Sequence, residues 1–259
     1  MKLNIVPART GLEWVKLGIQ TFFRQPLALA GLFFMFMAIM SIATLIPFVG
    51  GAFALAFLPA ATLGLMAATQ EATRGKFPMP SILITAFRAD RAQFRSMLVL
   101  GALYAIGFLL VMGVSTLFDG GQFARMYLLG DRVSGDVILS PDFQTAMWVA
   151  MSLYLPLSLL FWHAPALVHW HGVPPLKSLF FSIVACFRNF GAFTVYGLAW
   201  AAVFMITGLV FTLAAALLGS PEIISVAMMP VALLMASMFF TSIYFTFRDS
   251  FVATDIEAA

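Results

Sequence analysis

Five long stretches of this chain contain no Asp, Glu, Lys or Arg. They cover residues 25–70, 96–118, 143–176, 189–221 and 223–247, which are 46, 23, 34, 33 and 25 residues long. A helix needs roughly 20 apolar residues to cross a bilayer, so the first stretch can cross twice. The pattern predicts an all-α integral membrane protein with six transmembrane helices. We place them at about 26–46, 52–70, 96–118, 144–168, 190–218 and 223–247, with turns at 47–51 and 219–221.

Three shorter segments, each of which leads into a span, have a mixed pattern of apolar and polar residues. Each ends in Phe-Arg, and a helix-start signal lies fourteen residues before the Arg. In the first segment, Thr10 and Glu13 have the spacing of a capping box. Polar residues recur at helical spacing, which is typical of amphipathic helices that lie in the membrane interface. We therefore expect interfacial helices over 10–24, 81–95 and 174–188.

The first of these segments carries the clearest two-sided pattern. Glu13, Lys16 and Gln20 recur along one side, whereas Trp14 and Phe22 lie off that stripe. We expect the membrane interface to bury the aromatic side and the polar side to face water.

The interfacial helix and the two-span hairpin form a unit that the sequence repeats. The spacing from Arg24 to Arg95 is 71 residues and from Arg95 to Arg188 is 93 residues, and the loop at 119–142 accounts for the difference. This predicts three pseudo-repeats, at about 10–76, 81–171 and 174–248, within a single transmembrane domain of residues 1–259. The alternative is chance, because Phe and Arg commonly flank spans.

Basic residues concentrate on one side of the predicted membrane. With six spans, 12 of the 14 Lys and Arg residues lie on the side of the N-terminus. An excess of Lys and Arg marks the cytoplasmic side, so we expect both termini in the cytoplasm. Five of these side chains are candidates for contacts with anionic lipid headgroups: Arg24, Arg88, Arg91, Arg95 and Arg188. The alternative is that they only determine topology.

Composition excludes several classes of protein. Hydrophobic residues make up 62% of the chain and charged residues only 10%, against roughly 25% charged in a soluble domain. The spans take up nearly the whole length, so we expect no separate soluble domain. The net charge of +3 lies along membrane-flanking segments and does not indicate nucleic-acid binding. Cys186 is the single cysteine, so no internal disulfide can form.

All three histidines lie in one short stretch, as His163, His169 and His171. Imidazole ligates transition metals and haem, which makes the stretch a weak candidate polar cluster. However, His169 and His171 are two residues apart and point to different sides of a helix. Neither a carboxylate nor a cysteine lies nearby in sequence. We therefore interpret these residues as anchors at a helix end and assign no metal and no cofactor.

The candidate chemistry does not indicate an enzyme. The predicted spans contain no Asp, Glu, Lys or Arg, the residues on which proton relays and ion sites depend. Phosphate-binding loops and hydrolase motifs are also missing. We expect a non-catalytic scaffold, assembly or lipid-organising protein whose partners are membrane lipids. A second copy or another membrane protein is a further possible partner. The alternative function is a transporter or carrier of a neutral or lipid-like substrate.

The N-terminal region carries a resemblance to known proteins. It combines the segment Ile5-Val6-Pro7-Ala8-Arg9-Thr10-Gly11 with Trp14, Gly18 and Phe23-Arg24-Gln25-Pro26-Leu27. This resembles an uncharacterised family of bacterial inner-membrane proteins. The resemblance implies a bacterial inner membrane and implies no activity and no binding residues. The repeat unit is also similar to the membrane domain attached to some glycerophosphodiester phosphodiesterases, which is an analogy of fold alone.

Overall fold

The structure is a computed structural model that describes residues 2–46, 50–88, 90–218 and 221–252. Its helices in chain order are α1 (Thr10–Arg24), α2 (Pro26–Thr44), α3 (Gly50–Thr73), a 3₁₀ helix (Pro80–Phe87), α4 (Arg91–Asp119), α5 (Gln122–Leu129), α6 (Gly135–Ile138), α7 (Pro141–Phe161), α8 (Ala164–His171), α9 (Pro175–Arg188), α10 (Phe190–Leu218) and α11 (Pro221–Ser250). Two short strands, β1 (Lys2–Leu3) and β2 (Phe251–Val252), complete the elements.

Six helical segments are long and apolar enough to cross a membrane. They are Pro26–Thr44, Gly50–Thr73, Arg91–Asp119, Pro141–His171, Phe190–Leu217 and Val226–Ser250. The prediction of an all-helical protein with six candidate spans is confirmed. In the predicted turns, residues 47–49 and 219–220 lie outside the described residues. Gly50 and Gly51 already belong to α3, and Pro221 begins α11.

The chain forms two compact units. The first comprises Met1–Ala38, Ala61–Phe87 and Val184–Ala259, and the second comprises Ile39–Ala60 and Arg88–Ile183. Both units are assembled from segments that are distant in sequence.

In the first unit, α1 packs closely against α10 and α11. Gly11 approaches the backbone of α10 at Ala192, and Gly18 approaches Ser242 of α11. A methyl group at Gly18 would overlap the Cα and Cβ atoms of Ser242, so only glycine allows the two helices to come this close.

The first and last described segments of the chain pair with each other in the same unit. Strand β1 is antiparallel to β2, with Lys2 opposite Val252. Asn4 extends the pairing, because its backbone N–H donates to the carbonyl of Ser250 at 2.9 Å. The buried Asn189, between α9 and α10, accepts a hydrogen bond from the N–H of Val6 at 2.8 Å and donates one to the carbonyl of Asn4 at 3.0 Å. The N-terminal segment is therefore held by hydrogen bonds to its backbone.

In the second unit, α4 packs along α7, and the connection between them is helical rather than an open loop. Asp119 is buried at the end of α4 and accepts hydrogen bonds from the N–H groups of Gly121 and Phe123, at 2.8 and 2.6 Å. These bonds satisfy donors at the start of α5, as a capping carboxylate does. Gly120 and Gly121 have φ angles of 63° and 88°, which allow the sharp reversal between the helices.

Helix α5 then folds back onto the two long helices. The ring centroids of Phe123 and Phe143 are 5.7 Å apart, and those of Tyr127 and Phe108 are 5.9 Å apart. Because Phe108 lies eleven residues before the end of α4, α5 returns along the spanning part of α4. The predicted loop over 119–142 therefore contains an aromatic helix, α5, packed against α4 and α7.

The second predicted interfacial helix is wrong in extent. Residues 80–87 form a 3₁₀ helix with a kink at Ile84, and Arg91 and Arg95 belong to the start of α4. The reason is Asp90, whose side chain accepts a hydrogen bond from the N–H of Gln93 at 2.7 Å and so starts a new helix at Arg91.

The first and third segments fold over almost the residues that the pattern indicated, as α1 and α9. The capping box at the start of α1 is nevertheless wrong. The N-cap is Arg9, without a side-chain hydrogen bond, and Thr10 is already helical.

Candidate functional site

The first candidate site is a buried cluster around Ser242 in the first unit. The Ser242 hydroxyl donates to the carbonyl of Phe239 at 2.6 Å and accepts from the indole N–H of Trp200 at 3.2 Å. The hydroxyl of Tyr196 lies 2.7 Å from the same oxygen. A serine hydroxyl offers one donor and two acceptor positions, so these three contacts occupy all of them. The cluster joins α10 to α11 and leaves the serine oxygen without capacity for a ligand.

Trp14 of α1 extends this cluster, because it contacts Tyr196 and also Asp249 near the end of α11. Its side chain is fully buried, and its indole N–H donates to Asp249 Oδ2 at 2.9 Å. Its ring lies 5.3 Å from that of Phe193 and 6.0 Å from that of Tyr196. Asp249 also pairs with Arg248, whose Nε is 2.7 Å from Oδ1.

The prediction that the membrane interface buries Trp14 is therefore wrong. The polar residues Glu13, Lys16 and Gln20 are exposed as expected, but the apolar side of α1 is covered by α10 and α11. An amphipathic pattern reports that one side of a helix is buried and does not report whether lipid or protein covers it.

The second candidate site is a break in the fourth span. Helix α7 ends at Phe161 and α8 begins at Ala164. Pro165 has no N–H to donate to the preceding turn, which favours a break at this point. The hydroxyl of Ser182, on α9, lies in the gap. It accepts from the N–H of His163 at 2.9 Å and donates to the carbonyl of Leu159 at 2.8 Å.

This hydroxyl takes the place of one backbone hydrogen bond. In an uninterrupted helix the N–H of residue 163 would donate directly to the carbonyl of residue 159. The inserted Ser182 hydroxyl satisfies both groups and ties the break to α9, which is a recognised cause of helix kinks. The single continuous helix expected over 144–168 is therefore wrong at Trp162 and His163.

The three histidines take two different positions. His163 is fully buried at the break, whereas His169 and His171 are partly exposed on α8. The carbonyl of His169 accepts a hydrogen bond from the side-chain amide of Gln93 at 3.3 Å, which joins α8 to the start of α4. Among the described residues, no group of three or more His, Cys, Asp or Glu side chains could hold a metal ion.

The five candidate lipid-binding arginines are all exposed. Arg24 ends α1 and Arg188 ends α9, both in the first unit, whereas Arg88, Arg91 and Arg95 belong to the second. Within the part of the chain that the structure describes, none of the five forms a salt bridge. Their guanidinium groups are thus available to anions outside the protein.

Cys186 on α9 is buried, and burial raises the pKa of its thiol from the ordinary 9.0 to about 12. The thiol is therefore protonated at neutral pH. A nucleophilic role needs a thiolate, so this environment opposes one.

Six candidate spans in one chain define a multi-pass membrane protein. The chain belongs to the same family as the probable inner membrane protein BTH_II0599 of Burkholderia thailandensis, with which it is 41% identical over 256 residues. These residues cover 97% of this chain and 94% of the relative. The protein is thus a multi-pass inner membrane protein of unknown function, and the family resemblance noted from its N-terminal residues is confirmed. No protein-family model matches the chain, and no solved structure matches it.

Sequence reasoning missed the residues that organise both sites. The pattern placed Ser182 and Asn189 on the polar side of the third amphipathic segment, but both are buried. Ser242 lies in an apolar stretch with no signal of its own. A usable signal existed for only one feature. Pro165 beside Trp162 and His163 marks a helix break, and a break leaves backbone groups that a nearby hydroxyl can satisfy.

Proposed function

We propose that this protein is a non-catalytic component of the inner membrane with a scaffold or lipid-organising role. The observation that carries the proposal is that buried polar side chains form hydrogen bonds within the protein. Ser182, Asn189 and Ser242 each bind neighbouring parts of the protein itself. A transport or catalytic site instead directs polar groups at a ligand. These groups act as structural links between segments.

The proposed lipid contacts are those of the exposed arginines Arg24, Arg88, Arg91, Arg95 and Arg188. A basic residue near an anionic membrane surface contributes about 1 kcal/mol of attraction. The proposal assigns these side chains to the cytoplasmic headgroup region and needs no cofactor. For a scaffold the further partner would be a second copy or another membrane protein, consistent with the open space beside Gly197 on α10.

We also propose that both termini are cytoplasmic and that residues 1–259 form one transmembrane domain of three repeats. The orientation is supported by the 12 basic residues on one side. An even number of spans is supported by the pairing of β1 with β2, because paired strands lie on one side of a membrane. The repeat is supported by element order, since a short helix precedes two long helical segments three times.

The proposed function is tested by electron paramagnetic resonance of spin-labelled lipids around the reconstituted protein. We expect a larger immobilised fraction for phosphatidylglycerol than for phosphatidylcholine. Changing all five arginines to Gln should remove this preference. In the same vesicles, fluorescent lipid analogues should not cross the bilayer faster than in protein-free vesicles. Protein-dependent lipid translocation would favour the carrier, and release of lipid breakdown products would favour an enzyme.

A further inference from the structure

A groove of about 290 Å³ opens in the second unit where the start of α4 meets the start of α9. Its α4 wall is formed by Arg95, Ser96 and Val99, and its α9 wall by Pro174, Pro175 and Leu176. The two prolines lack N–H groups and present apolar rings. The groove therefore combines one cation with a largely apolar lining.

The apolar lining continues along α4 beyond the groove. Val99, Ile106 and Leu110 follow Arg95 at intervals of four, seven and four residues, which places them on one side of the helix. Their side chains are 42%, 56% and 64% exposed. From Arg95 to Leu110 this stripe runs about 22 Å, at about 1.5 Å per residue. It starts at the guanidinium group and leads towards the middle of the span.

Charge complementarity identifies the occupant. The Arg95 guanidinium forms no salt bridge with a described residue, and guanidinium groups bind phosphate through paired N–H donors. The apolar stripe below it suits a hydrocarbon chain and not a soluble anion. Basic pockets between spanning helices are typical sites for anionic lipid headgroups.

We propose that this groove is a specific site for an anionic phospholipid, with its phosphate on Arg95 and an acyl chain along Val99 and Ile106. The inference rests on the proposed lipid-organising function and assigns to it one site. Arg95 lines this apolar groove, and we assign the remaining four arginines to the general attraction of the membrane surface.

Native mass spectrometry of the purified full chain with added phosphatidylglycerol or phosphatidylcholine tests the site. Arg95→Gln should weaken phosphatidylglycerol binding about fivefold, the loss expected for one basic contact. The matched control is Arg88→Gln, which removes an exposed guanidinium of the same unit that does not line the groove. Because we assign Arg88 only to the general attraction of the membrane surface, Arg88→Gln should weaken phosphatidylglycerol binding clearly less than Arg95→Gln does. Val99→Trp keeps the cation and fills the apolar part, and it should also displace the lipid.

Each outcome bears on the proposal. Equal losses of phosphatidylglycerol binding in the Arg95 and Arg88 variants would overturn the specific site. The proposed function would still stand if the preference for phosphatidylglycerol disappeared only when all five arginines were changed to Gln. Displacement of lipid by inorganic phosphate, with Val99→Trp still binding, would mean that the cation alone is recognised and would also overturn the site. If the unaltered protein shows no preference for phosphatidylglycerol, the proposed function fails. Thermal unfolding of each variant checks that the fold is retained.

Discussion

Ser182 shows how much a single hydroxyl can support in this protein. Replacing Ser182 with Ala leaves the N–H of His163 and the carbonyl of Leu159 without the bridging oxygen. Each of these two hydrogen bonds contributes about 0.5–1.5 kcal/mol, so their joint loss costs about 1–3 kcal/mol. We expect Ser182→Ala to lower the free energy of unfolding by about this amount, measured by SDS-induced unfolding in mixed micelles.

Ser158→Ala is the control for this measurement. Ser158 is half-buried, and its hydroxyl donates to the carbonyl of Leu155 in the preceding turn of its own helix. Its loss should change the unfolding free energy by less than about 0.5 kcal/mol. Similar effects of the two substitutions would show that the bridge across the break contributes nothing of its own.

Cys186 gives a second prediction at the residue scale. Because its thiol is buried and its pKa is raised to about 12, we expect slow reaction with a maleimide at pH 8 in the folded protein and fast reaction after unfolding in SDS. The raised pKa also has a linkage effect. The folded state keeps the proton above pH 9, where the unfolded state releases it. This contribution to stability is present below pH 9 and is lost as pH rises from 9 towards 12.

The pH measurement can be assigned to this thiol by comparison with Cys186→Ala. The variant should lack the part of the alkaline decline that belongs to Cys186. Rapid labelling of the folded protein at pH 8 would contradict the burial of the thiol.

At the scale of elements, helix α1 depends on close approach at Gly18. A Cβ at this position would overlap Ser242, and overpacking of this kind typically costs about 1–3 kcal/mol. We expect Gly18→Ala to destabilise the protein by about that much in the SDS unfolding experiment, because α1 must move away from α11.

Gly197→Ala provides the opposite case. Gly197 lies within α10, and nothing is within 4 Å of the position of its added Cβ. Since Ala favours a helix over Gly by about 0.5–1 kcal/mol, this change should be neutral or stabilising. Destabilisation by Gly197→Ala and not by Gly18→Ala would contradict the described packing of α1.

The helical elements could largely be predicted from sequence, and their errors have local causes. Charge-free length located all six candidate spans because the cost of charge in a bilayer acts on every residue of a span. Residues 81–95 failed as one helix because Asp90 caps a new one. The prediction that the membrane interface buries Trp14 was wrong because its partner Asp249 is 235 residues away. A local periodic pattern gives no information about so distant a contact.

For the whole molecule, the main prediction concerns topology. Reporter fusions after Lys76, after Gly172 and at the C-terminus should all report the cytoplasm, and a fusion at Gly130 should report the opposite side. The reason is that six spans and the excess of basic residues agree. A C-terminus on the side of Gly130 would contradict both the six spans and the pairing of β1 with β2.

The candidate sites were much less predictable than the six candidate spans. The five arginines could be chosen as candidate lipid contacts because segments rich in Lys and Arg differ in composition from the apolar spans that they flank. The contacts of Ser242, Asn189 and Ser182 depend on which helices meet, and a single sequence does not contain that information. The groove at Arg95 likewise needs the start of α9 beside α4.

The contacts between the first and last described segments of the chain have a consequence for biosynthesis. Trp14 leaves the ribosome long before Asp249, from which it is separated by 235 residues. At about 5–20 residues per second, this interval lasts roughly 12–47 seconds. During that time the apolar side of α1 lacks its final partners, while every residue of the second unit is synthesised before residue 184. The second unit can therefore assemble during translation, whereas the first is completed only when the last span and β2 have been made.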